Sequence, residues 1–283
     1  VEFVSANPTG PQHVGHGRHA AYGASLANLL RAAGEDVTTE YYVNDAGRQM
    51  EILAASVLVR ALQVDNGALP LPSAGYRGDY IRDIATDWRN GNADTLPDPG
   101  DLFDGLPEDG PDAGDAYIDA MIARAETLMG GAFLVLKQFS TTAILDDIRD
   151  DLGGMCVTFD RFYSEASLAT EGRIDVARNV LRDNGVVDDR DGTLWFRATD
   201  FGDEKDRVVV RDNGKKTYFA SDIAYHLDKR RRGFDLLLDV LGADHHGYVA
   251  RIRAGLEAMG EPPESLEVRL VQFVSLFRGG EKV

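Results

Sequence analysis

The sequence contains one cysteine and no apolar run of membrane-spanning length. Cys156 cannot form a disulfide within the chain, so nothing indicates an oxidising compartment. A transmembrane helix needs about 20 consecutive apolar residues, and no segment of the sequence reaches that length. The chain also lacks the charged and then apolar start of a secretory signal. We therefore expect a cytoplasmic protein that does not enter a membrane.

Positive charge is also scarce. The 283 residues include 47 acidic and 30 basic side chains, so the formal net charge is −17. Aspartate supplies 33 of the acids and arginine supplies 24 of the bases. Such a surface repels nucleic acids unless a local basic face or another domain attracts them. An ordinary acidic surface would explain the charge, but we favour adaptation to high intracellular salt, which screens the self-repulsion.

Both ends of the chain alternate between strand and helix patterns. β-branched and aromatic residues predict strands, and apolar residues at helical spacing predict helices. The predicted order is strand 1–6, helix 15–33, strand 36–43, helix 46–63 and, much later, helix 220–231, strand 234–242, helix 247–259 and strand 266–274. Between these parts, segments rich in glycine and proline separate helices over 79–89, 116–137 and 141–152, and a hairpin has Asn213-Gly214 at its turn.

These patterns predict an α/β fold with a parallel sheet. The alternation of strand and helix is typical of a Rossmann-like nucleotide-binding domain. We predict that its first part spans residues 1–64 and its second part residues 217–283. Residues 65–216 would then form an inserted α+β block, which is helical first and ends in the hairpin.

The first predicted strand is followed by the segment SANPTGPQHVGH. Pro8, Gly10 and Pro11 force a turn and delay the helix until after His13. The first N–H groups of that helix have no partner within it and carry the positive end of its dipole, which favours a bound anion. Open α/β sheets also bind their ligands at the carboxyl ends of the strands. We predict a nucleotide phosphate site at this turn.

Two histidines lie three residues apart on the first turn of this helix. His13 and His16 face the same side, so both imidazoles can donate N–H groups to nucleotide phosphates. Gly15 leaves room for adenine or a phosphate chain to approach the backbone. Two ordinary surface histidines, or a metal site with His19, are the alternatives, but no cysteine or carboxylate at helical spacing completes a ligand set. We therefore predict an ATP site without a protein-bound metal.

Two later segments carry side chains suited to the rest of a nucleotide and to a second substrate. Gly242 follows an apolar strand and would let adenine or ribose pack on the backbone, with Asp244 or His245 bonding the ribose hydroxyls. Tyr218 and Asp222 are four residues apart at a helix start, so their side chains share a face. A carboxylate accepts two parallel N–H bonds from a guanidinium, but an aspartate near a helix start is often a cap. The residues alone leave both interpretations of Asp222 open.

Longer strings of the sequence resemble one protein family. VEFVSANPTGPQHVGHGR (1–18) and YYVNDAGRQ (41–49) are similar to arginyl-tRNA synthetases, and H-x-G-H resembles the HIGH signature of class I aminoacyl-tRNA synthetases and related nucleotidyltransferases. The resemblance covers most of the chain, and the acidic region 95–115 is its least typical part. Further stretches agree in the family's order: GDYIRDIA (78–85), FDRFYSE (159–165), LWFRATDFGDEKDRVVVR (194–211), TYFASDIAYHLDK (217–229), GADHHGYVARI (242–252) and LVQFVSLFRGG (270–280).

The resemblance implies the class I synthetase fold and a two-step reaction. L-arginine would be activated with ATP to arginyl-adenylate and then transferred to tRNA(Arg), with Mg²⁺ entering together with ATP. The implied catalytic residues are His13, Gly15 and His16. The implied binding residues are Pro8, Gly10, His13, Gly15, His16, Gly242, Asp244 and His245 for ATP, and Glu2, Ser5, Asn7, Tyr218, Asp222 and Gln272 for arginine.

Three features of the family are not found in the sequence. A K-M-S-K type loop would follow RGGEKV directly, and the N-terminal tRNA-contacting domain and the C-terminal helical anticodon-binding domain are also absent. We expect a catalytic core that binds its substrates but is weakly active or inactive alone, with most tRNA contacts made by other domains. The alternatives are another HIGH-type nucleotidyltransferase that activates a different carboxylate, and a non-catalytic ligand-binding module.

Overall fold

A computed structural model describes residues 1–245, 247–272 and 274–282, apart from the side chain of Asp244. The chain forms two compact units. The first contains residues 1–6, 13–44 and 157–283, and the second contains residues 7–12 and 45–156. The hairpin that was expected at the end of the inserted block lies in the first unit. The domain limits at residues 64 and 216 stay a prediction.

The helices and strands alternate along much of the chain, as the sequence patterns predict. The helices are α1 (Val14–Ala32), α2 (Arg48–Gln63), α3 (Asp79–Asn92), α4 (Pro99–Phe103), α5 (Gly114–Met129), α6 (Gly131–Gly154), α7 (Glu165–Thr170), α8 (Arg173–Asp183), α9 (Tyr218–Arg231) and α10 (Tyr248–Ala258). The strands are β1 (Glu40–Val43), β2 (Arg161–Ser164), β3 (Val187–Arg190), β4 (Thr193–Phe196), β5 (Arg207–Val210), β6 (Leu237–Gly242), β7 (Leu266–Val271), β8 (Phe277–Arg278) and β9 (Glu281–Lys282).

A parallel sheet forms the centre of the first unit. Strand β1 pairs with β2 and β6 pairs with β7, in both cases in parallel. The N-terminal segment joins the two pairs, because Glu2 bridges Glu40 on one side and Asp239 on the other. Its N–H donates to Leu238 O and its carbonyl accepts from Val240 N, each at 2.8 Å. The order across the sheet is therefore β2, β1, the N-terminal segment, β6 and β7, which is a doubly wound arrangement.

The first predicted strand is shorter than residues 1–6. Val4 and Ser5 have φ angles of 67° and 42°, and this left-handed backbone cannot continue the extended pairing of the sheet. Pairing therefore stops after Phe3. The residues that follow turn away from the sheet at its carboxyl edge, which is the edge where folds of this kind bind ligands.

Two helices of this unit pack closely because a glycine faces a bulky side chain. A Cβ atom added to Gly23 of α1 would lie 2.2 Å from Cγ of Phe3 in the N-terminal segment. A Cβ atom added to Gly255 of α10 would lie 2.5 Å from Cγ2 of Ile223 in α9. Close packing at these two places fixes α1 against the middle of the sheet and α10 against α9.

A small antiparallel sheet completes the first unit. Strands β3, β4 and β5 pair in that order. The predicted turn at Asn213-Gly214 is confirmed, because Val210 and Lys216 bridge across it and Gly214 has a φ angle of 77°. The buried faces of these strands share one hydrophobic core with helices α8, α9 and α10. The same core includes Tyr163 of β2, Leu237 of β6 and Leu266 of β7, so it is continuous with the parallel sheet.

The second unit is built around helix α2. Eleven of the 16 residues of α2 are buried, since α3, α5 and α6 all pack against it. The two predicted helices over 116–137 and 141–152 are wrong in one respect. The chain breaks at Gly130, which has φ 53° and ψ −127°, rather than near residue 140. Only glycine adopts this conformation without strain, so α5 ends there and α6 begins at once.

No single helix among the described residues is long and apolar enough to cross a membrane. Helices α5 and α6 pass that test only when they are taken together, and they are bent by 119° at the break between them.

Replacing Gly23 tests the close packing of α1 on the sheet. Alanine is the better helix former by about 1 kcal/mol, but its methyl group would collide with the ring of Phe3. We expect Gly23→Ala to lower the free energy of unfolding by about 1–3 kcal/mol, as overpacked sites do. Urea denaturation measures this free energy of unfolding. Gly91→Ala is the control, because nothing lies within 4 Å of its added Cβ, and equal stability of the two variants would contradict the packing.

Candidate active site

A buried ammonium group connects helix α9 to two strands of the parallel sheet. Nζ of Lys229 donates to Oε2 of Glu2 at 2.5 Å and to Oδ1 of Asp239 at 2.9 Å. All three side chains are buried. Burial alone would lower the pKa of Lys229, but the charges of Asp239 and Glu2 raise it above its ordinary value. The lysine therefore stays charged and holds two buried carboxylates.

His226 makes the second connection between α9 and the sheet. Its Nε2 lies 2.8 Å from Oδ2 of Asp239, and its Nδ1 lies 2.8 Å from the backbone oxygen of Asp222. The imidazole is buried, so its role is structural. Burial would raise the pKa of Asp239, but the charge of Lys229 and the bond from His226 hold it well below its usual range. Asp239 is therefore ionised and bonded on both oxygens.

The far end of α9 is tied to the start of β1. Both carboxylate oxygens of Glu40 accept from Arg232, at 2.6 and 2.9 Å, and Oε1 also accepts from the hydroxyl of Tyr225 at 2.7 Å. Because β1 begins at Glu40, the last turn of α9 lies at the amino edge of the sheet. The helix runs antiparallel to the strands. Its first turn, with Tyr218 and Asp222, therefore lies toward the carboxyl edge.

The structure removes one of the two interpretations of Asp222. Thr217 caps α9, since its Oγ1 accepts from the N–H of Ala220. Asp222 is thus not the capping residue. Burial raises the pKa of its carboxyl to about 6, although the positive charges of His226 and Arg251 lower it. Tyr218 lies one turn earlier with 71% of its surface exposed. This pair offers a partly buried carboxylate and a phenol at the same helix face.

The two histidines of the H-x-G-H pattern cap helix α1. Nδ1 of His13 accepts from the N–H groups of Gly15 at 3.1 Å and His16 at 3.3 Å, and Nδ1 of His16 accepts from the N–H of His13 at 3.3 Å. The two rings stack with centroids 3.6 Å apart. Burial, helped by His13 and His19, lowers the pKa of His16 to about 4. An imidazole that accepts at Nδ1 carries its proton on Nε2 when neutral.

This capping changes the expected phosphate site. The first N–H groups of a helix were expected to be available to an anion, but those of Gly15 and His16 already bond His13. The donor that remains for an anion is instead the Nε2–H group of each imidazole. Gly15 has a further role, because a Cβ atom at this position would lie 2.8 Å from Cε1 of His13. The glycine makes room for the capping ring.

Glu2 and Ser5 are bonded to each other and to the sheet. The hydroxyl of Ser5 donates to Oε1 of Glu2 at 3.0 Å and accepts from the N–H of Tyr42 at 3.0 Å. The other oxygen of Glu2 accepts from Lys229. Both side chains therefore hold together the strand ends below the site. Their expected contact with arginine stays a prediction.

The remaining first-unit positions follow the ends of β6 and β7. Gly242 is the last residue of β6 and lies beside Val271 at the end of β7. Gln272 comes next, and its backbone oxygen accepts from Arg18 of α1 at 3.3 Å. His245 lies in a short turn after β6, edge-on to the ring of Tyr248. The side chain of Asp244, the fourth of the residues predicted to bind adenosine or arginine here, lies outside the described part of the structure.

Three predicted site residues belong to the second unit. Asn7 donates from Nδ2 to Oε1 of Gln49 at 2.9 Å. Gly10 lies against Tyr80, because a Cβ atom there would be 2.9 Å from the phenol oxygen. Pro8 precedes Thr9, whose backbone oxygen accepts from the same phenol at 2.7 Å. The turn that was predicted between Asn7 and His13 is thus held by helix α3 through Tyr80. The roles of these three residues stay predictions.

Several residues of the site were not predicted. Lys229 and Asp239 could have been found, since Asp239 is a carboxylate within the apolar run FDLLLDVLG and a buried charge needs a partner. The hydroxyl of Tyr248 and the charge of Arg251 both act to lower the pKa of Asp222. Neither carries a signal in the sequence. Both reach Asp222 from helix α10, and only the packing of α10 on α9 reveals this.

No group of three histidine, cysteine, aspartate or glutamate side chains that could hold a metal ion exists within the part of the chain that the structure describes.

The sequence of the chain is similar to those of known proteins. A family model described as the catalytic domain of class I tRNA synthetases (R) matches residues 1–71. The chain is 57% identical over 287 aligned residues to the arginine–tRNA ligase of Thioalkalivibrio sulfidiphilus, in a match that covers 100% of this chain and 49% of that protein. Over its whole length the chain is similar to arginyl-tRNA synthetases. It spans about half the length of the curated relatives it matches.

Solved structures of the arginyl-tRNA synthetase family confirm the predicted fold class. A Campylobacter jejuni crystal structure that carries this family name superposes with a TM-score of 0.82 at 32% identity, over 100% of this chain and 56% of that one. The Thermus thermophilus arginyl-tRNA synthetase superposes with a TM-score of 0.67 at 21% identity, over 96% of this chain and 47% of that one. At 21% identity, the second match shows the fold alone.

Removing the ammonium group of Lys229 tests the buried connection between α9 and the sheet. Lys229→Met keeps the length of the side chain but leaves two buried carboxylates without their cation. We expect a loss of about 3–5 kcal/mol in the free energy of unfolding, as when one partner of a buried ion pair is removed. Thermal and urea denaturation measure this change.

Lys215→Met is the matched control for this variant. Lys215 is exposed in the turn after β5, and surface substitutions of this kind change stability by less than about 0.5 kcal/mol. A Lys229 variant as stable as the Lys215 variant would show that α9 does not depend on the buried ammonium.

Proposed function

We propose that this chain is the catalytic core of an enzyme that activates L-arginine with ATP and transfers it to tRNA(Arg). The carboxylate of arginine attacks the α-phosphorus of ATP, which forms arginyl-adenylate and releases pyrophosphate. A hydroxyl of the terminal adenosine of the tRNA then attacks the arginyl carbonyl and AMP leaves. The observation that carries the proposal is the position of Asp222. This residue does not cap helix α9, and it lies toward the carboxyl edge of the sheet.

Arginine would be recognised by its guanidinium group. A carboxylate accepts two parallel N–H bonds from a guanidinium, in a geometry that a lysine ammonium cannot reproduce. Asp222 would supply this carboxylate, and Tyr218 would bond beside it. The burial that raises the pKa of Asp222 in the ligand-free protein also strengthens a pairing with a cation. Glu2, Ser5, Asn7 and Gln272 would surround the other end of arginine.

ATP would be bound by neutral donors. The capping bonds of His13 and His16 leave an Nε2–H on each imidazole, and the low pKa of His16 keeps that ring uncharged at neutral pH. These donors would follow the charge that develops on the phosphates during the reaction. Pro8 and Gly10 would shape the turn beside them. Gly242, Asp244 and His245 would hold the adenosine.

Mg²⁺ would bind together with ATP and not to a separate set of protein ligands. The described residues offer no group of three ligating side chains, so the metal would be held mainly by the phosphate oxygens, as is usual for Mg²⁺ bound with nucleotides. The proposal also places the protein in the cytoplasm. Contacts with tRNA(Arg) would be made mainly by parts of the full-length protein outside this chain.

The rival enzyme is another HIGH-type nucleotidyltransferase that activates a different carboxylate. It would keep the ATP-binding residues but would not need a guanidinium-binding carboxylate on α9. The rival of another class is a ligand-binding module without catalysis, which would bind arginine or ATP without forming an adenylate. Binding of a stable intermediate analogue separates the first rival from the proposal, and charging of tRNA by the full-length protein separates the second.

Asp222→Asn tests the guanidinium pocket. We expect the variant to bind a non-hydrolysable arginyl-adenylate analogue about 10- to 100-fold more weakly than the unchanged chain, because one charged hydrogen-bond acceptor is lost. Its affinity for a non-hydrolysable ATP analogue should not change. Isothermal titration calorimetry measures both, with circular dichroism to show that the variant is folded.

Asp235→Asn is the matched control, since Asp235 is an exposed aspartate of the same unit. It should bind both analogues as the unchanged chain does. Equal binding of arginyl and lysyl analogues by the unchanged chain would contradict the arginine assignment, while loss of ATP analogue binding in Asp222→Asn would mean that this residue has a different role.

The pH dependence of arginine binding provides a separate test. Binding requires the ionised carboxylate of Asp222, whose pKa is raised from 3.8 to about 6 in the ligand-free protein. Above pH 7 the affinity should therefore be constant. Below pH 6 it should fall about tenfold for each pH unit, because a proton must first be displaced. The residual binding by Asp222→Asn should lack this dependence, and a midpoint near pH 4 would contradict the buried position of the carboxyl.

A further inference from the structure

A cavity in the second unit has a basic lining. It has a volume of about 400 Å³, which lies within the range of small-ligand sites. It opens where the end of α2 faces the first half of α3. Its lining contains two arginines and no carboxylate, and consists of Arg60, Gln63, Val64, Gly67, Arg82 and Thr86. None of these residues has a role in the proposed function.

Arg60 has only neutral partners among the described residues. One of its terminal nitrogens donates to Oε1 of Gln63 at 2.9 Å and the other to the backbone oxygen of Arg77 at 3.3 Å. Its Nε is buried and bonds nothing in the described structure. Arg89 on the neighbouring helix shows the contrast, because both carboxylate oxygens of Asp65 accept from it at 2.6 and 2.7 Å.

Other arginines raise the positive charge around the cavity. Burial lowers the pKa of Arg60, and the charges of Arg82 and Arg77 lower it further, with Asp79 acting in the opposite direction. Arg82 pairs with Asp79 at 3.0 Å, but both side chains are more than half exposed, and such pairs contribute little. Three arginines of like charge are thus close together in a chain whose net charge is −17.

We propose that Arg60 and Arg82 form a binding site for a phosphate group. A guanidinium presents several N–H donors in a fixed plane that matches the oxygens of a phosphate. Gln63 and the backbone of Arg77 hold the fork of Arg60 in place, while Arg82 reaches the cavity from α3. A bound phosphate would neutralise two like charges that the protein itself leaves without a buried carboxylate.

The phosphate can come from two sources. One is a free anion, such as inorganic phosphate or pyrophosphate, and the other is the backbone of an RNA. Both present the same oxygens to the two arginines. The inference does not depend on the proposed function, because phosphate binding and arginine binding are measured separately and in different variants.

The first experiment is a calorimetric titration of the full chain with inorganic phosphate and, separately, with pyrophosphate. Arg60→Gln and Arg82→Gln each remove one guanidinium. We expect each variant to bind the free anion at least tenfold more weakly than the unchanged chain, since a hydrogen bond to a charged group is lost. Arg82 is 60% exposed, so its variant remains folded even if Arg60→Gln is destabilised.

Arg149→Gln is the control for net charge. Arg149 lies on α6 in the same unit and pairs with Asp146, so its replacement changes the charge equally without touching the cavity. The second titration uses a short RNA hairpin over a range of salt concentrations. If the site holds an RNA phosphate, each cavity variant should reduce the salt dependence of log K by about one relative to Arg149→Gln.

The outcomes distinguish the two sources of the phosphate and test the proposed site itself. Weaker phosphate or pyrophosphate binding in the two cavity variants assigns a free anion to the site. A change confined to RNA binding assigns a backbone phosphate. Arg60→Gln and Arg82→Gln variants that match Arg149→Gln with every probe would overturn the site, whatever the analogue titrations of the Asp222 variant show.

Discussion

The pairing of one buried lysine with two carboxylates fixes the parts of the first unit on which the candidate active site depends. Lys229 joins α9 to the N-terminal segment through Glu2 and to β6 through Asp239. Carboxylates this deeply buried are costly without their cation, so only one placement of the helix on the sheet satisfies all three groups. Asp222 lies seven residues, about two turns, before Lys229 on the same helix. The buried lysine therefore also sets where the proposed guanidinium acceptor stands.

The first turn of α1 differs from the Lys229 cluster, because its side chains bond backbone N–H groups and not charged groups. His13 and His16 accept from backbone N–H groups and stack on each other, so their rings are held in orientation, and the low pKa of His16 keeps that ring neutral. In the proposed function the phosphates would meet oriented N–H dipoles rather than imidazolium charges. The site would then combine one ionised group for the guanidinium with uncharged donors for the nucleotide, and each group is held by bonds that do not involve the substrate.

Much of the fold could be predicted from the sequence because it depends on local patterns. The strands β6 and β7, the helices α1 and α9 and the turn at Gly214 all follow from apolar spacing and turn residues. The similarity to arginyl-tRNA synthetases could be predicted as well. The predictions failed where the backbone conformation of a few residues decides where an element ends. The strand over residues 1–6 ends early because of positive φ angles at Val4 and Ser5, and the break at Gly130 was placed too late.

The candidate site shows the same division. The sequence places His13 and Asp222 at helix starts, but it does not show that His13 itself caps α1 or that Thr217 caps α9. The bonds of Lys229 to Glu2 and Asp239 link residues separated by 227 and 10 positions. Tyr248 reaches Asp222 only because α10 packs on α9. Side-chain partners of this kind depend on tertiary packing, on which hydrophobic periodicity carries no information.

The central place of the N-terminal segment in the parallel sheet has a consequence for biosynthesis. The segment hydrogen-bonds residues 238 and 240 on one side, so the middle of the sheet cannot close until that part of the chain has left the ribosome. At about 5–20 residues per second, the first residues wait for ten seconds or more with their apolar side chains uncovered. Pairing at such long sequence separation also makes folding slow. This segment of the nascent chain therefore stays open to other contacts until the sheet closes.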